Sequence, residues 1–390
     1  MRAFSTSLMG SMPRSNELLM ARKRRILGKI SQSEVDKILQ KETQNLVRLQ
    51  EEFDIDFITS GELDRDNYLS FVSEKIEGAR LMSMSEMLDF MPQKQAFENM
   101  LEILDVPALA IKNAVCVDKV RRKSPLVLGE MKMLKRMSDR PLKATLPGIY
   151  LLTRSMWLGE LSSHFYDNKE SLSVDVLEIL KAEIDDLSEF GVEMVQFDEP
   201  VLTEILFSKE QTRSFMCAAL SEKKNYEEEL EFASNLIESL MKYAKTKNIK
   251  TALHVCRGNW SKDESILLKG SYAGLLKLFE RSKCDIFMLE YSTPRAGEID
   301  TLFKNEFIRD HATIGLGVIN PRNDKVESVD EIVQKSENLL KFIPKNRILL
   351  NPDCGFATFA NRPLNSFEII RAKLNALNNA KIALRDKYGI

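Results

Sequence analysis

Four side chains with the chemistry of metal ligands each follow a short apolar run: His254 and Cys256 in T-A-L-H-V-C, Glu290 in F-M-L-E-Y-S, and Cys354 in L-N-P-D-C-G. Each run reads as a buried β-strand, and each candidate ligand sits where the strand gives way to a loop. Zinc takes four N, S or O donors in a tetrahedron. Parallel strands that each deliver a donor at their carboxyl ends can supply one. The H-x-C spacing puts His254 and Cys256 on one face of a strand. A carboxylate ending the run I-F-M-L is costly to bury unless it is paired or ligates a cation. Taken singly each motif has an ordinary reading, since a buried cysteine is often only a small hydrophobe. The set points to a metal.

Position excludes the other sulfurs and imidazoles. Cys284 lies on the same strand as Glu290, at roughly 3.3 Å per residue about 20 Å away from it. His311 precedes its strand and belongs to the opposite end. His164 and Cys217 fall in helical or loop text, and Cys116 lies on a presumed hairpin. Two more carboxylates end strands: Glu62 after F-I-T-S-G and Asp198 in V-Q-F-D-E-P. Asp198 and Glu199 face opposite sides of an extended chain, so at most one enters a barrel lumen. Such residues often cap a helix or pair with a lysine. Beside the metal set they read as substrate ligands. The turn carrying Met9, Gly10 and Ser11 follows a strand and offers backbone N–H groups, a cradle for a carboxylate. Together these groups would hold an amino acid by both ends.

The elements that must position them recur as strand, loop, helix. Candidate strands are Ser5–Gly10, Phe57–Gly61, Leu126–Gly129, Lys143–Leu146, Met194–Asp198, Lys250–Cys256, Ile286–Tyr291, Thr313–Ile319 and Ile348–Asp353. Ser31 and Glu34 form a capping box that opens a helix to about Phe53. Ser173–Phe190, Tyr226–Thr246 and Phe367–Asp386 show helical periodicity. Buried strands alternating with helices imply a parallel sheet, and the length suits one (β/α)8 TIM barrel over residues 1–390. The surplus strand is Leu126–Gly129. Ala108–Leu128 reads as two strands joined by the charged tip V-D-K-V-R-R-K, a hairpin excursion. With Lys75–Asn99, rich in Met and Glu, it makes an inserted hairpin/helical segment at about 70–135.

The net charge of −2 and pI of about 6.1 give no electrostatic case for nucleic acid. Basic clusters at Ala21–Arg25 and Arg121–Lys123 read as solvated surface, with an anionic substrate tail as the alternative. An odd, sparse set of 5 cysteines argues against a disulfide framework and for a reducing compartment. The N-terminus has no apolar signal core, and no apolar run approaches the roughly 18 residues of a membrane span. A cytoplasmic protein with no membrane partner is expected.

H-x-C, a Glu ending the next strand, N-P-D-C-G, Q-x-D-E-P upstream and G-S-x-P near the start together resemble the cobalamin-independent methionine synthase family. The resemblance is to its C-terminal catalytic barrel and runs from about Thr6 to the last helix. It implies zinc as cofactor, with His254, Cys256, Glu290 and Cys354 as its ligands. It implies homocysteine contacts at Met9, Gly10, Ser11, Glu62 and Asp198, and a donor-side carboxylate at Glu204. Zinc deprotonates a bound thiol that is otherwise largely protonated at pH 7. Glu290, the hardest donor of the set, is the ligand an incoming sulfur is expected to displace. Two departures touch the donor side. G-L-G-V-I-N-P-R keeps Pro321 and Arg322 but lacks the family's proton-donor His, and A-T-L-P-G-I-Y lacks its folate-stacking Trp. The long form's second, N-terminal barrel has no room in this chain. The expected partners are a homocysteine-like thiol and a methyl donor, either 5-methyltetrahydrofolate or a methylcorrinoid protein. The alternatives are a zinc-dependent thiol alkyltransferase of the epoxide:coenzyme M type and a metal-free barrel like uroporphyrinogen decarboxylase.

Overall fold

The computed structural model describes residues 1–90, 112–207, 225–259, 262, 264 and 267–390. Seven parallel strands form its inner wall: β1 (Ser5–Thr6), β4 (Lys143–Pro147), β5 (Met194–Asp198), β6 (Lys250–Val255), β7 (Ile286–Leu289), β8 (Thr313–Ile319) and β9 (Ile348–Pro352), in the order β1-β9-β8-β7-β6-β5-β4. Phe57 and Ile58 supply the eighth position. They bridge in parallel to Ser7 on one side and Leu142 on the other, with Ile58 N donating to Pro141 O at 2.9 Å and Lys143 N to Ile58 O at 2.9 Å. The (β/α)8 barrel thus closes through a two-residue stretch where a strand over 57–61 was expected. The extension stops because Gly61 and Glu62 turn the chain at φ 69° and 55°.

Alternation sorts the strand residues. Met194, Ala252, Ile286, Met288 and Leu349 pack together with Met9 and Phe57 inside the barrel. Their neighbours Val195, Phe197, Leu253, Val255 and Phe287 join the larger core under the helices. Ser31 and Glu34 make the expected capping box for the helix Gln32–Glu52, a contact typically worth about 1 kcal/mol. Its buried positions Val35, Leu39, Leu46 and Leu49 follow the helical period. Asn168 caps the helix Lys169–Phe190, which ends at Gly191 with φ 85°, a conformation glycine adopts without a Cβ penalty.

Leu126–Gly129 is not a strand. The Leu126 and Val127 N–H groups donate to the Glu183 carboxylate at 2.6 and 2.8 Å, and the helix Leu128–Lys135 starts there. The inserted hairpin is a ribbon of β2 (Ile76–Ser83) and β3 (Lys112–Arg122), antiparallel, pairing Ile76 with Arg122 and Ser83 with Lys112. The expected tip V-D-K-V-R-R lies inside β3 and makes no turn. It contains no Gly, Pro or Asn to reverse the chain; instead the strand bulges there, residues 117–120 lying against the single Gly78 between the pairs Glu77–Arg121 and Ala79–Cys116. Residues 91–111 of the expected insertion lie outside the described residues.

Candidate metal centre

The ligand-bearing strands end at one mouth of the barrel. In the parallel register Asp198 of β5 lies opposite His254 of β6, and His254 opposite Met288 of β7. Two residues further along each strand the same inward face brings Cys256 and Glu290. The ligating atoms of His254, Cys256 and Cys354, all buried, lie within 4.8 Å of one another. This tertiary meeting joins residues about a hundred positions apart.

The donor set suits a divalent, borderline-soft ion. His254 Nδ1 lies 2.7 Å from Asp198 Oδ1. A carboxylate only accepts, so Nδ1 carries the proton; Nε2 lies 3.3 Å from Asp353 O, a contact it would give up to ligate a metal in the usual carboxylate–histidine arrangement. Burial works to lower the His254 pKa, but the Asp198 hydrogen bond and charge raise it overall. The two thiols share a hydrogen bond that drives Cys256 down and, together with burial, drives Cys354 up. A cation between them would take over the role of that proton. Glu290 is not a member of the close triad. Its Oε1 accepts from Arg322 Nη2 and from Arg257 N (3.2 Å), and its Oε2 from Arg295 Nη2 at 3.3 Å. Burial alone would raise the Glu290 pKa, yet Arg322, Arg295 and Arg257 hold it below the ordinary range.

A cleft opens beside the triad, and Met9, Gly10, Ser11, Glu62 and Asp198 are all in its wall. Among the described residues the N–H groups of Met9, Gly10 and Ser11 make no hydrogen bond. Glu62 is buried, accepts from Thr145 Oγ1 at 2.9 Å and lies 3.7 Å from Arg65. Burial raises its pKa, and the nearby Asp198 charge adds to the rise. Gly10 permits this approach, because a Cβ there would sit 2.2 Å from Glu62 Oε1. Asp198 enters the cleft while Glu199 turns the other way. The Glu199 carboxylate accepts from Tyr150 N and Leu151 N at 2.8 and 2.9 Å, capping the helix Ile149–Met156.

Residues that sequence reasoning left unassigned build the support. Lys143 Nζ donates to Gln196 Oε1 at 2.6 Å, and Gln196 Nε2 to Asp198 Oδ1 at 2.7 Å. A buried chain thus runs from Lys143 to His254. Its only signal was the inward parity of Gln196 and Asp198 in Q-x-D. Burial pushes the Lys143 ammonium down to about 7 against the pull of Asp198 and Glu62. Arg14, in G-S-M-P-R, donates to four carbonyls: Met12 (3.1 Å), Ala357 (2.9 Å), Glu62 (2.7 Å) and Arg65 (2.8 Å). The expected donor-side residues, Glu204 and Arg322, are both held in buried ion pairs. Glu204 is buried and pairs with Arg154 at 3.2 Å, and Arg322 lies behind Glu290. Neither is in the described cleft wall. Of the sulfurs and imidazoles set aside, Cys116 and Cys284 are buried and outside the triad, while Cys217 lies outside the described residues.

Fold and site therefore define a barrel protein with a thiol-rich candidate metal centre at its carboxyl-terminal mouth. The profile of the cobalamin-independent synthase catalytic domain matches residues 4–366, and the chain belongs to that family and with it to the S-methyltransferases. Methionine synthase of Pyrococcus furiosus is 26% identical over 351 residues, covering 90% of this chain and 85% of the relative. The 5-methyltetrahydropteroyltriglutamate–homocysteine methyltransferase of Thermotoga petrophila is 24% identical over 386 residues, covering 99% of this chain. The match spans only 45% of that relative's length. The structure of a B12-independent methionine synthase from Shewanella sp. W3-18-1 superposes with a TM-score of 0.71 at 19% identity, covering 100% of both chains. That likeness supports the fold.

Proposed function

We propose that the chain is a zinc-dependent enzyme that methylates the thiol of homocysteine to give methionine, with a methylated folate or a methylcorrinoid protein as donor. The reading takes residues 1–390 as one barrel domain bearing the ribbon insertion, working in the cytoplasm. The observation that carries it is the buried His254–Cys256–Cys354 triad opening on a cleft walled by Glu62, Asp198 and the free N–H groups of Met9–Ser11. The donors fit zinc, since two thiolates offset the charge of a divalent ion and the imidazole Nε2, 3.3 Å from Asp353 O, can exchange that contact for the metal. His254, Cys256, Cys354 and, until an acceptor sulfur displaces it, Glu290 would hold it, and zinc would supply acidification of the acceptor thiol.

The protein's own groups do the rest. Asp198 fixes the His254 ring through Nδ1. Glu62 and the second oxygen of Asp198 take the acceptor's ammonium, and the Met9–Ser11 N–H groups donate to its carboxylate. The acceptor sulfur then forms the new S–CH3 bond as the methyl group leaves its carrier. One observation favours a second reading: Asp198 Oδ1 is already committed to His254 and Gln196, so the ammonium site is half shared. A thiol alkyltransferase acting on a thiol without an amino group would need less of it. The triad speaks against a metal-free decarboxylase-like barrel.

The test is an assay of purified, zinc-loaded protein with homocysteine and folate monoglutamate, folate polyglutamate or methylcobalamin as methyl donor. Methionine formed from one of them supports the reading. No methionine from any, with alkylation of 2-mercaptoethanesulfonate by an epoxide instead, overturns it for the second.

A further inference from the structure

Glu290 is the candidate ligand whose carboxylate the protein itself already occupies. It is 2% exposed and hydrogen-bonded at both oxygens, by Arg322, Arg295 and the Arg257 N–H. Arg322 is 0% exposed and fixed from several sides. Its Nε and Nη2 donate to Gly258 O at 3.0 and 2.7 Å, its own N–H donates to Asn320 Oδ1 at 3.0 Å, and its Nη1 lies 3.8 Å from Asp353 Oδ2. Gly258 follows Cys256 by two residues, and Asp353 immediately precedes Cys354. One guanidinium thus braces the loops of both thiols while holding the carboxylate. Gly317 of β8 makes room for this, because a Cβ there would sit 2.1 Å from Asp353 Oδ1 and 3.1 Å from Glu290 Cα. Arg295 completes the clamp and is itself anchored to Glu264 at 3.2 Å.

We infer that Arg322, assisted by Arg295, is a positioning residue that withholds Glu290 from the His254–Cys256–Cys354 triad and so keeps the fourth metal position open to the acceptor thiol. For Glu290 to ligate fully it must give up buried ion pairs, and stripping one partner from a buried pair is strongly unfavourable. The clamp therefore weakens Glu290 as a ligand. The metal is held chiefly by three groups, and the acceptor sulfur competes against a carboxylate already bound elsewhere. This inference rests on the proposed metal site and adds to it the control of ligand exchange.

The experiment uses the full chain loaded with cobalt(II), whose thiolate charge-transfer and d–d bands report ligand number without turnover. Wild type, Arg322→Gln, Arg322→Lys, Arg295→Gln, Glu290→Gln and the double variant Arg322→Gln/Glu290→Gln are titrated with chelator and then with homocysteine. Freed from its clamp, Glu290 in Arg322→Gln should hold cobalt about 10-fold more tightly and weaken homocysteine binding by a similar factor, the scale on which outer contacts tune a metal site. Arg322→Lys should fall between, Arg295→Gln should shift both constants the same way by less, and the double variant should regain wild-type thiol affinity. A merely structural Arg322 would not produce that recovery. If Arg322→Gln does not fold, Arg295→Gln with Glu290→Gln carries the same cycle. Unchanged thiol affinity in the arginine variants, or metal loss in Glu290→Gln as complete as in Cys354→Ser, overturns the clamp while leaving the metal site standing. Absence of thiolate bands in wild type overturns the site, and the clamp with it.

Discussion

The two sides of the barrel mouth are built differently. The metal side, β5 to β9, rests on parallel ladders, and His254, Cys256 and Glu290 follow strand parity, while Cys354 lies off the inward parity of Leu349, past a β8–β9 ladder whose register shifts at Gly317–Ile319. The acceptor side, carrying Met9–Ser11 and Glu62, rests on the two-residue β1 and the bridge at Phe57–Ile58. There the backbone is held by side chains: Arg14 ties four carbonyls across three loops, and Lys143 Nζ donates to Leu8 O and Met9 O. A ladder fixes ligand positions through the geometry of many backbone bonds, whereas a polar clamp concentrates the same task in one residue. The difference suggests that the metal side tolerates distant substitutions and fails only at its ligands, while the acceptor side fails at its clamps.

Removing a ligand is the largest perturbation. Cys256→Ser or Cys354→Ser should abolish stoichiometric zinc, whereas Cys116→Ser and Cys284→Ser should retain it, as elemental analysis will show. Full zinc in Cys354→Ser would refute the site. Next comes Arg14→Met, which takes a donor from four carbonyls; Glu62 O keeps the Arg65 N–H and Arg65 O the Arg22 guanidinium, so Met12 O and Ala357 O lose most. With each unsatisfied group worth about 1–3 kcal/mol and water recovering part of the loss, destabilisation of about 3 kcal/mol is expected. Chemical denaturation measures it, and zinc content should stay normal because no ladder of the metal side is touched. Loss of zinc along with the stability would erase the contrast between the two sides.

Asp198 belongs to both sides and sharpens the comparison. Asp198→Asn should weaken zinc binding about 10–100-fold, since it removes the carboxylate that orients His254. Glu62→Gln should leave zinc in place and weaken homocysteine binding by about 1.5–3 kcal/mol, the scale of a hydrogen bond to a charged group. Calorimetry with homocysteine and 3-mercaptopropionate separates the two effects. An equal loss for both thiols in Glu62→Gln would end the ammonium assignment.

The effect confined to one buried group is on pH dependence. Lys143 faces Gln196 and feels the charges of Glu62 and Asp198, and its pKa falls from 10.5 to about 7 on burial. Between these values the unfolded chain binds more protons, so stability from this group rises with pH, by at most about 1.4 kcal/mol per unit. It is fully present above pH 10.5 and lost as pH falls to about 7. Urea titrations at pH 7, 8 and 9 should show a shallower rise in Lys143→Met than in wild type. Parallel slopes would mean that the ammonium is not buried as described.

What the sequence determined by itself was whatever repeats along one chain segment. Period-two alternation placed His254 and Cys256 on one face and let at most one of Asp198 and Glu199 enter a lumen, and strand–helix alternation implied the barrel. The Ser31–Glu34 box marked a helix start, because all its hydrogen bonds lie within one turn. The tertiary structure decided what depends on partners distant in the chain. Glu183 turns Leu126–Val127 into a helix entry, and the partner of β3 is β2 some thirty residues earlier, not a neighbouring strand. Likewise, Arg322 lies against Glu290 and not in the cleft, because it takes its place from Gly258 and Asp353. No local spacing encodes such contacts. Burial makes them obligatory, since an arginine or carboxylate taken out of water must find its partner wherever the fold brings one.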